Sequence, residues 1–249
     1  MSIRGVFCAA ATPVTEAGTI DTQRFTTHAK NLIADGCNGV ALLGTTGEAN
    51  SFSLGERKAL LEASVAAGIQ PAHLLPGTGL CAIPDTIDLT RHALSLGVTQ
   101  VVMLPPFYYK NVSDEGVFDA YARILDTVAD DRLRVILYHI PQMSAVPISH
   151  GLIERLLKTY PKTVVGIKDS AGDFANMQAM LKKFPGFSVL AGADPLMKPL
   201  LEAGGQGCIT ATSNLVGQQL ATVFASFKNA SKVAEVEAAQ ARIVAVRNI

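Results

Sequence analysis

Lys168 closes the run Val164-Val165-Gly166-Ile167-Lys168, a short apolar stretch with the composition of a strand. Strand alternation turns its side chain away from Val165 and Ile167, and one of the two faces of such a strand is an interior. An amine withdrawn from water favours its neutral form, and a neutral lysine attacks ketones to form imines. The alternative is a strand-end lysine paired with Asp169 or Asp173, whose carboxylates would hold the charged form. Tyr138 bears on that choice because it closes Val135-Ile136-Leu137-Tyr138, the apolar run just before that of Lys168. Neighbouring parallel strands lie about 4.8 Å apart, so the two side chains could share one pocket. A phenol there can pass protons to and from a carbinolamine or an enamine. Taken alone, Tyr138 reads equally well as an aromatic cap on the mouth of a barrel. His139 alternates to the opposite side of its strand and is expected to pack rather than to catalyse.

Gly44-Thr45-Thr46-Gly47-Glu48 is a glycine-flanked turn after another apolar run. Consecutive backbone N–H groups in such a turn can form an anion-binding concavity, and its two hydroxyls suit a carboxylate or a proton relay. The segment lacks the lysine and the spacing of a nucleotide phosphate loop. Its plain structural alternative is a tight turn with Glu48 leading into the next helix. Other polar residues that follow apolar runs are Tyr108, Tyr109 and Asp194. Cys8, Cys37, Cys81 and Cys208 are widely separated, and the 5 histidines show no metal-ligand spacing. Neither a metal site nor a disulfide framework is expected, and the thiols read as reduced and mostly buried, as in a cytoplasmic protein.

These residues sit at the ends of recurring Val-, Ile- and Leu-rich runs, at 5–10, 39–43, 73–76, 100–104, 134–138, 164–167, 187–191 and 207–209. Amphipathic segments separate them, at 21–35, 54–67, 83–96, 114–128, 148–159, 175–183 and 195–203, several closing on glycine (Gly36, Gly68, Gly97, Gly204). Strand and helix alternating in this way predict an α/β fold, a (β/α)8 TIM barrel, with the polar residues gathered at the C-terminal ends of the strands. Helices at 216–228 and 233–246 follow the last strand. The division expected is a catalytic barrel over 1–214 and C-terminal helices over 215–249.

The 249 residues suit a single barrel domain. With 21 Lys plus Arg against 21 Asp plus Glu, there is no basic field for nucleic acid. No stretch approaches the ~20 apolar residues of a membrane helix. The opening residues 1–11 faintly mimic a signal peptide but reach Pro13 too soon, so a first barrel strand is the better reading. The expected partner is a small molecule.

Together, Gly44-Thr45-Thr46-Gly47-Glu48, Pro105-Pro106-Phe107-Tyr108-Tyr109, Leu137-Tyr138-His139-Ile140-Pro141 and Gly166-Ile167-Lys168-Asp169-Ser170 give the chain a specific resemblance. It resembles the dihydrodipicolinate synthase and N-acetylneuraminate lyase family of pyruvate-dependent lyases from Gly5 to about Asn214. The resemblance implies a metal- and cofactor-independent lyase in which Lys168 forms the imine with pyruvate or a 2-keto acid and Tyr138 is the main acid/base group. It implies that Thr45 links Tyr138 to Tyr109 in a proton relay, with Tyr109 supplied by a neighbouring subunit of a homotetramer, or at least of a dimer. Thr45 and Thr46 would hold the substrate carboxylate, and Gly47, Ser170, Gly192, Asp194, Ile209 and Met143 would line the substrate site. Members carry further helices after the barrel, of which this chain would hold only part.

Two departures bear on substrate. Met143 stands where the synthase branch has an arginine for the carboxylate of aspartate semialdehyde, and a thioether cannot replace a bidentate cation. Gly192-Ala193-Asp194 is followed by Pro195 where the sialic-acid branch has a glutamate. Reversible aldol cleavage of a 2-keto-3-deoxy sugar acid or similar 2-keto acid is therefore the favoured activity. Dihydrodipicolinate synthase activity despite Met143 is the nearest alternative. A non-catalytic keto-acid-binding barrel is a third, against which the joint presence of Lys168, Tyr138, Thr45 and Tyr109 argues.

Overall fold

The computed structural model describes residues 3–249, so Met1 and Ser2 of the opening segment lie outside the described residues. The chain runs β1 (Gly5–Ala9), α1 (Thr22–Ala34), β2 (Gly39–Ala41), α2 (Leu54–Ala66), α3 (Ile83–Ser95), β3 (Gln100–Met103), α4 (Asp114–Val128) and β4 (Arg134–His139). It continues through α5 (Pro141–Ser144), α6 (His150–Thr159), β5 (Val164–Asp169), α7 (Phe174–Lys183), β6 (Ser188–Ala191), α8 (Met197–Glu202), β7 (Gly207–Thr210), α9 (Ser213–Ser226) and α10 (Val233–Arg247). Helix starts are set by short polar side chains that accept a free first-turn N–H: Asp21, Ser53, Ser113, Ser149 and Asp173. The four glycines expected at helix ends all take positive φ, between 79° and 100°.

The strands pair in parallel in the order β2-β1-β7-β6-β5-β4-β3. The eighth expected strand, at 73–76, does not form a continuous ladder. Instead residues 74–78 bridge the two open edges: Leu75 N–H donates to Val40 at 2.9 Å, while Val102 N–H donates to Pro76 and Thr78 N–H to Val102, each at 3.0 Å. Proline has no N–H to extend such a ladder, and the segment passes from one neighbour to the other within a few residues. The seven strands and this bridging segment make a nearly closed TIM barrel.

Alternation along the strands divides the core. Phe7, Ala9, Ala41, Val102, Ile136, Leu190 and Ile209 fill the barrel interior. Val6, Val40, Val101, Leu137, Ile167 and Val189 face outward and pack against apolar faces of the helices, such as Phe25, Leu60, Tyr121, Leu152 and Leu220. Three details differ from the sequence reading. A short helix, α5, follows β4. The segment at 195–203 divides into a 3-10 turn, Asp194–Leu196, and α8. The helix expected from 216 begins at Ser213, with Val216 non-helical at φ −130°. α9 packs against β1, and α10 packs against α9 and the 3-10 turn. Among the described residues no helix is long and apolar enough to cross a membrane.

Candidate active site

The register of β4 and β5 builds the centre of the site. Val135 is opposite Val164, but Ile136 is opposite Gly166, so Val165 is an extra residue and β5 is bulged there. That single residue brings Tyr138 opposite Lys168 with both side chains on the inward face. A one-residue slip would place them on opposite faces. Lys168 Nζ lies 4.1 Å from the centroid of the Tyr138 ring. Both residues are buried, at 6% and 5% exposure.

The two carboxylates that could have neutralised Lys168 are engaged elsewhere. Asp169, on the outward face, accepts from Ala171 N–H and Asn176 Nδ2, each at 2.9 Å. Asp173 caps α7 by accepting from Asn176 N–H at 3.0 Å. Lys168 therefore faces a phenol rather than an acid.

The turn after β2 supplies the next group. Leu43 and Glu48 bracket it in left-handed conformations, at φ 56° and 50°. Gly47 is pressed so close to the backbone just after β1 that a Cβ would lie 2.9 Å from the Ala10 carbonyl. Thr12 Oγ1 donates to the Gly47 carbonyl at 2.8 Å. This clamp holds Thr45 Oγ1 3.2 Å from the Tyr138 hydroxyl, in hydrogen-bonding contact. The N–H groups of Thr45, Thr46 and Gly47 donate to no backbone carbonyl among the described residues, which leaves them free for an anion.

Burial by itself pushes the Tyr138 phenol up. The positive charge of Lys168, the bond with Thr45 and the proximity of the Lys168 amine and Ser170 hydroxyl together outweigh it, and the phenol lies below its ordinary range. Tyr138 is thus readier than a free phenol to give up its proton.

Ser170 and Gly192 complete the wall. Ser170 N–H donates to His139 at 2.8 Å and Gly192 N–H to Asp169 at 2.7 Å. A Cβ at Gly192 would collide with Ser170 Oγ and lie 2.7 Å from Ser170 Cα, so only glycine admits the serine here. Ile209, near the C-terminal end of β7, belongs to the same interior cluster as Tyr138. Tyr138 also walls a cavity of ≈ 290 Å³ lined by Gly44, Thr45, Leu104, Phe107, Ile140 and Met143 among others. Met143 stands at its rim, 65% exposed.

Two expected residues are not brought to this centre within one chain. Tyr109 is 77% exposed and meets Tyr108 edge to face at 5.3 Å, while the Thr45 hydroxyl bonds Tyr138 instead. Asp194 is 1% exposed and lies near the thiols of Cys208 and Cys8. Burial, aided by the Asp194 charge, pushes Cys8 up to about 12 and Cys208 up as well. Arg57 is a residue that sequence reasoning missed. The Ser53/Glu56 capping box fixes the start of α2 and points Arg57 inward, where its guanidinium donates to the Gly77 carbonyl at 2.8 Å and lines the cavity. Burial lowers it to about 10. The capping-box spacing was the available signal. All four cysteines are free thiols, with Cys81 exposed and the others buried.

A barrel with a buried strand-end lysine that faces a tyrosine and, among the described residues, pairs with no acid is the arrangement an imine-forming barrel protein needs. Residues 2–249 match the model of the dihydrodipicolinate synthetase family, and the chain belongs to that family. It is 36% identical over 247 residues to a DapA-like lyase of Chloroflexus aurantiacus, covering 99% of this chain and 81% of that one. Among solved structures, YagE of E. coli K12 in complex with pyruvate superposes with a TM-score of 0.91 at 25% identity, covering 99% of this chain and 82% of that one. The 2-keto 3-deoxygluconate aldolase of Picrophilus torridus superposes at 0.84 and 25% identity, covering 98% and 83%.

Proposed function

We propose that the protein is a pyruvate-dependent class I aldolase that cleaves, reversibly, a 2-keto-3-deoxy sugar acid or a close 2-keto acid. The observation that carries this reading is the Lys168–Tyr138 pair, with the amine 4.1 Å from the ring and no carboxylate claiming it. Lys168 attacks the ketone carbon, and loss of water from the carbinolamine gives the imine. Removal of the C4 hydroxyl proton then breaks the C3–C4 bond, the electron pair passes into the protonated imine, and an aldehyde leaves. The remaining enamine takes a proton at C3, and water releases pyruvate and regenerates the amine. Tyr138 carries these protons and Thr45 relays them. The free N–H groups of Thr45, Thr46 and Gly47 receive the C1 carboxylate.

Met143 presents a thioether to the aldehyde half, which favours an aldehyde without a second carboxylate. The likeness to a 2-keto 3-deoxygluconate aldolase supports the same substrate class. The exposure of Tyr108 and Tyr109 supports a homotetramer in which Tyr109 reaches the Thr45 of a neighbouring subunit. Free buried thiols support a cytoplasmic location. The test is pyruvate release from a panel of 2-keto-3-deoxy acids, with pyruvate plus aspartate semialdehyde as the competing condensation. Efficient release from the panel is expected. Efficient condensation with aspartate semialdehyde and no release would overturn the assignment.

A further inference from the structure

On the outward face of the same two strands, directly behind the reacting pair, His139 stands opposite Asp169. Neither takes part in the chemistry above. His139 Nδ1 accepts the N–H of Ile148 at 3.1 Å, nine positions along the chain. This bond joins the end of β4 to the residue preceding Ser149, the N-cap of α6. It thereby closes the loop that carries α5. Within that loop, Gln142 Nε2 donates to the Ser170 carbonyl at 2.6 Å and Met143 lines the cavity. Lys110 Nζ donates to the Ser144 carbonyl at 3.0 Å, pinning the middle of the loop.

An imidazole nitrogen that accepts a backbone N–H carries no proton, and once protonated it can only donate. The ionisable groups facing His139 are Asp169 from β5 and His150 from α6. Asp169 is engaged by Ala171 and Asn176, and His150 Nε2 pairs with Asn176 Oδ1 at 2.9 Å. At the head of α4, Asp114 accepts the Ser149 hydroxyl. Burial, with His150, pushes the His139 imidazole below its ordinary range, while Asp169 pulls it back up. The neutral acceptor form therefore prevails at neutral pH.

We propose that His139 is a positioning residue whose neutral imidazole, by holding the Ile148 amide, sets Met143 against the part of the substrate distal to the imine, with Gln142 tying the same loop to Ser170. The inference rests on the aldolase reading above. Lys168 and Tyr138 are placed by the strand ladder, whereas Gln142 and Met143 are placed by the loop. Loss of the anchor therefore acts on KM for the sugar acid rather than on imine formation.

The test compares His139→Asn, which keeps an acceptor oxygen and cannot titrate, with His139→Leu, which fills the space without an acceptor. kcat and KM for sugar-acid cleavage are measured from about pH 5 to about pH 8, beside borohydride trapping with pyruvate. His139→Leu should raise KM by roughly 3- to 10-fold, with kcat within about twofold and trapping intact. His139→Asn should keep the KM of the unmodified protein at neutral pH. On acidification the unmodified protein should lose affinity as His139 protonates, and His139→Asn should not. A His139→Leu protein with unchanged KM, or the same acid dependence of KM in the Asn variant as in the unmodified protein, overturns the proposal. The second comparison decides by itself if the Leu variant does not fold. An unmodified protein that traps no pyruvate overturns the aldolase reading, and this one with it.

Discussion

Replacing Tyr138 with phenylalanine removes one oxygen and leaves the ring. The ring stays packed in the barrel with Lys168 Nζ over its face, so the pocket keeps its shape. The oxygen makes one hydrogen bond, with Thr45 at 3.2 Å, and losing it costs about 0.5–1.5 kcal/mol of stability. The variant should therefore fold and melt within several degrees of the unmodified protein. Its chemistry should suffer far more, because every proton transfer in the scheme passes through that oxygen. The expected loss in kcat is about 10²- to 10⁴-fold, the usual contribution of a positioned acid/base group. Pyruvate release followed through lactate dehydrogenase reads the rate, and circular dichroism confirms the fold. The pH profile adds a second reading. The phenol lies below its ordinary range, so the part of the pH profile that depends on Tyr138 should titrate below pH ~10 and be lost from the variant. A Tyr138→Phe protein that keeps its rate within about threefold would refute the assignment of Tyr138 as the proton carrier.

Gly192→Ala places a methyl group against Ser170 Oγ, with the Ser170 Cα at 2.7 Å and the Asp169 carbonyl at 2.8 Å. Overpacking of this kind should cost about 1–3 kcal/mol and displace Ser170, seen as a lower midpoint in urea denaturation together with a fall in kcat. If Tyr109 acts across a subunit boundary, Lys168→Ala and Tyr109→Phe chains assembled together should regain activity that neither has alone. Assays of the mixed oligomer against each parent check this, and no recovery would place Tyr109 outside the relay.

The strand runs and their polar ends were legible in the sequence because the strands are short and apolar and Tyr138, Lys168 and Thr45 stand at or just past their C-terminal ends. Lys168, Tyr138 and Thr45 lie together in the structure, and Ser170, which only the resemblance implied, lies beside them. The reason Lys168 and Tyr138 share a face was not legible. It depends on the extra residue Val165 in β5, and periodicity within one strand cannot reveal its register against another. The segment at 73–76 looked like a strand by composition, but Pro76 and its hand-over from β2 to β3 leave it as bridges. Asp194 followed an apolar run as a mouth residue would, yet it folds into a 3-10 turn beside two thiols. His139 was read as packing because alternation gave its face, and nothing local disclosed an Ile148 amide nine residues away.

The proposed chemistry stands on a covalent imine at Lys168. Incubation with pyruvate, reduction with borohydride and peptide mass spectrometry test it most directly, because reduction turns the imine into a stable secondary amine. One adduct is expected, on Lys168, and none in Lys168→Ala. An adduct on another lysine, or none from pyruvate or any short 2-keto acid, would contradict it.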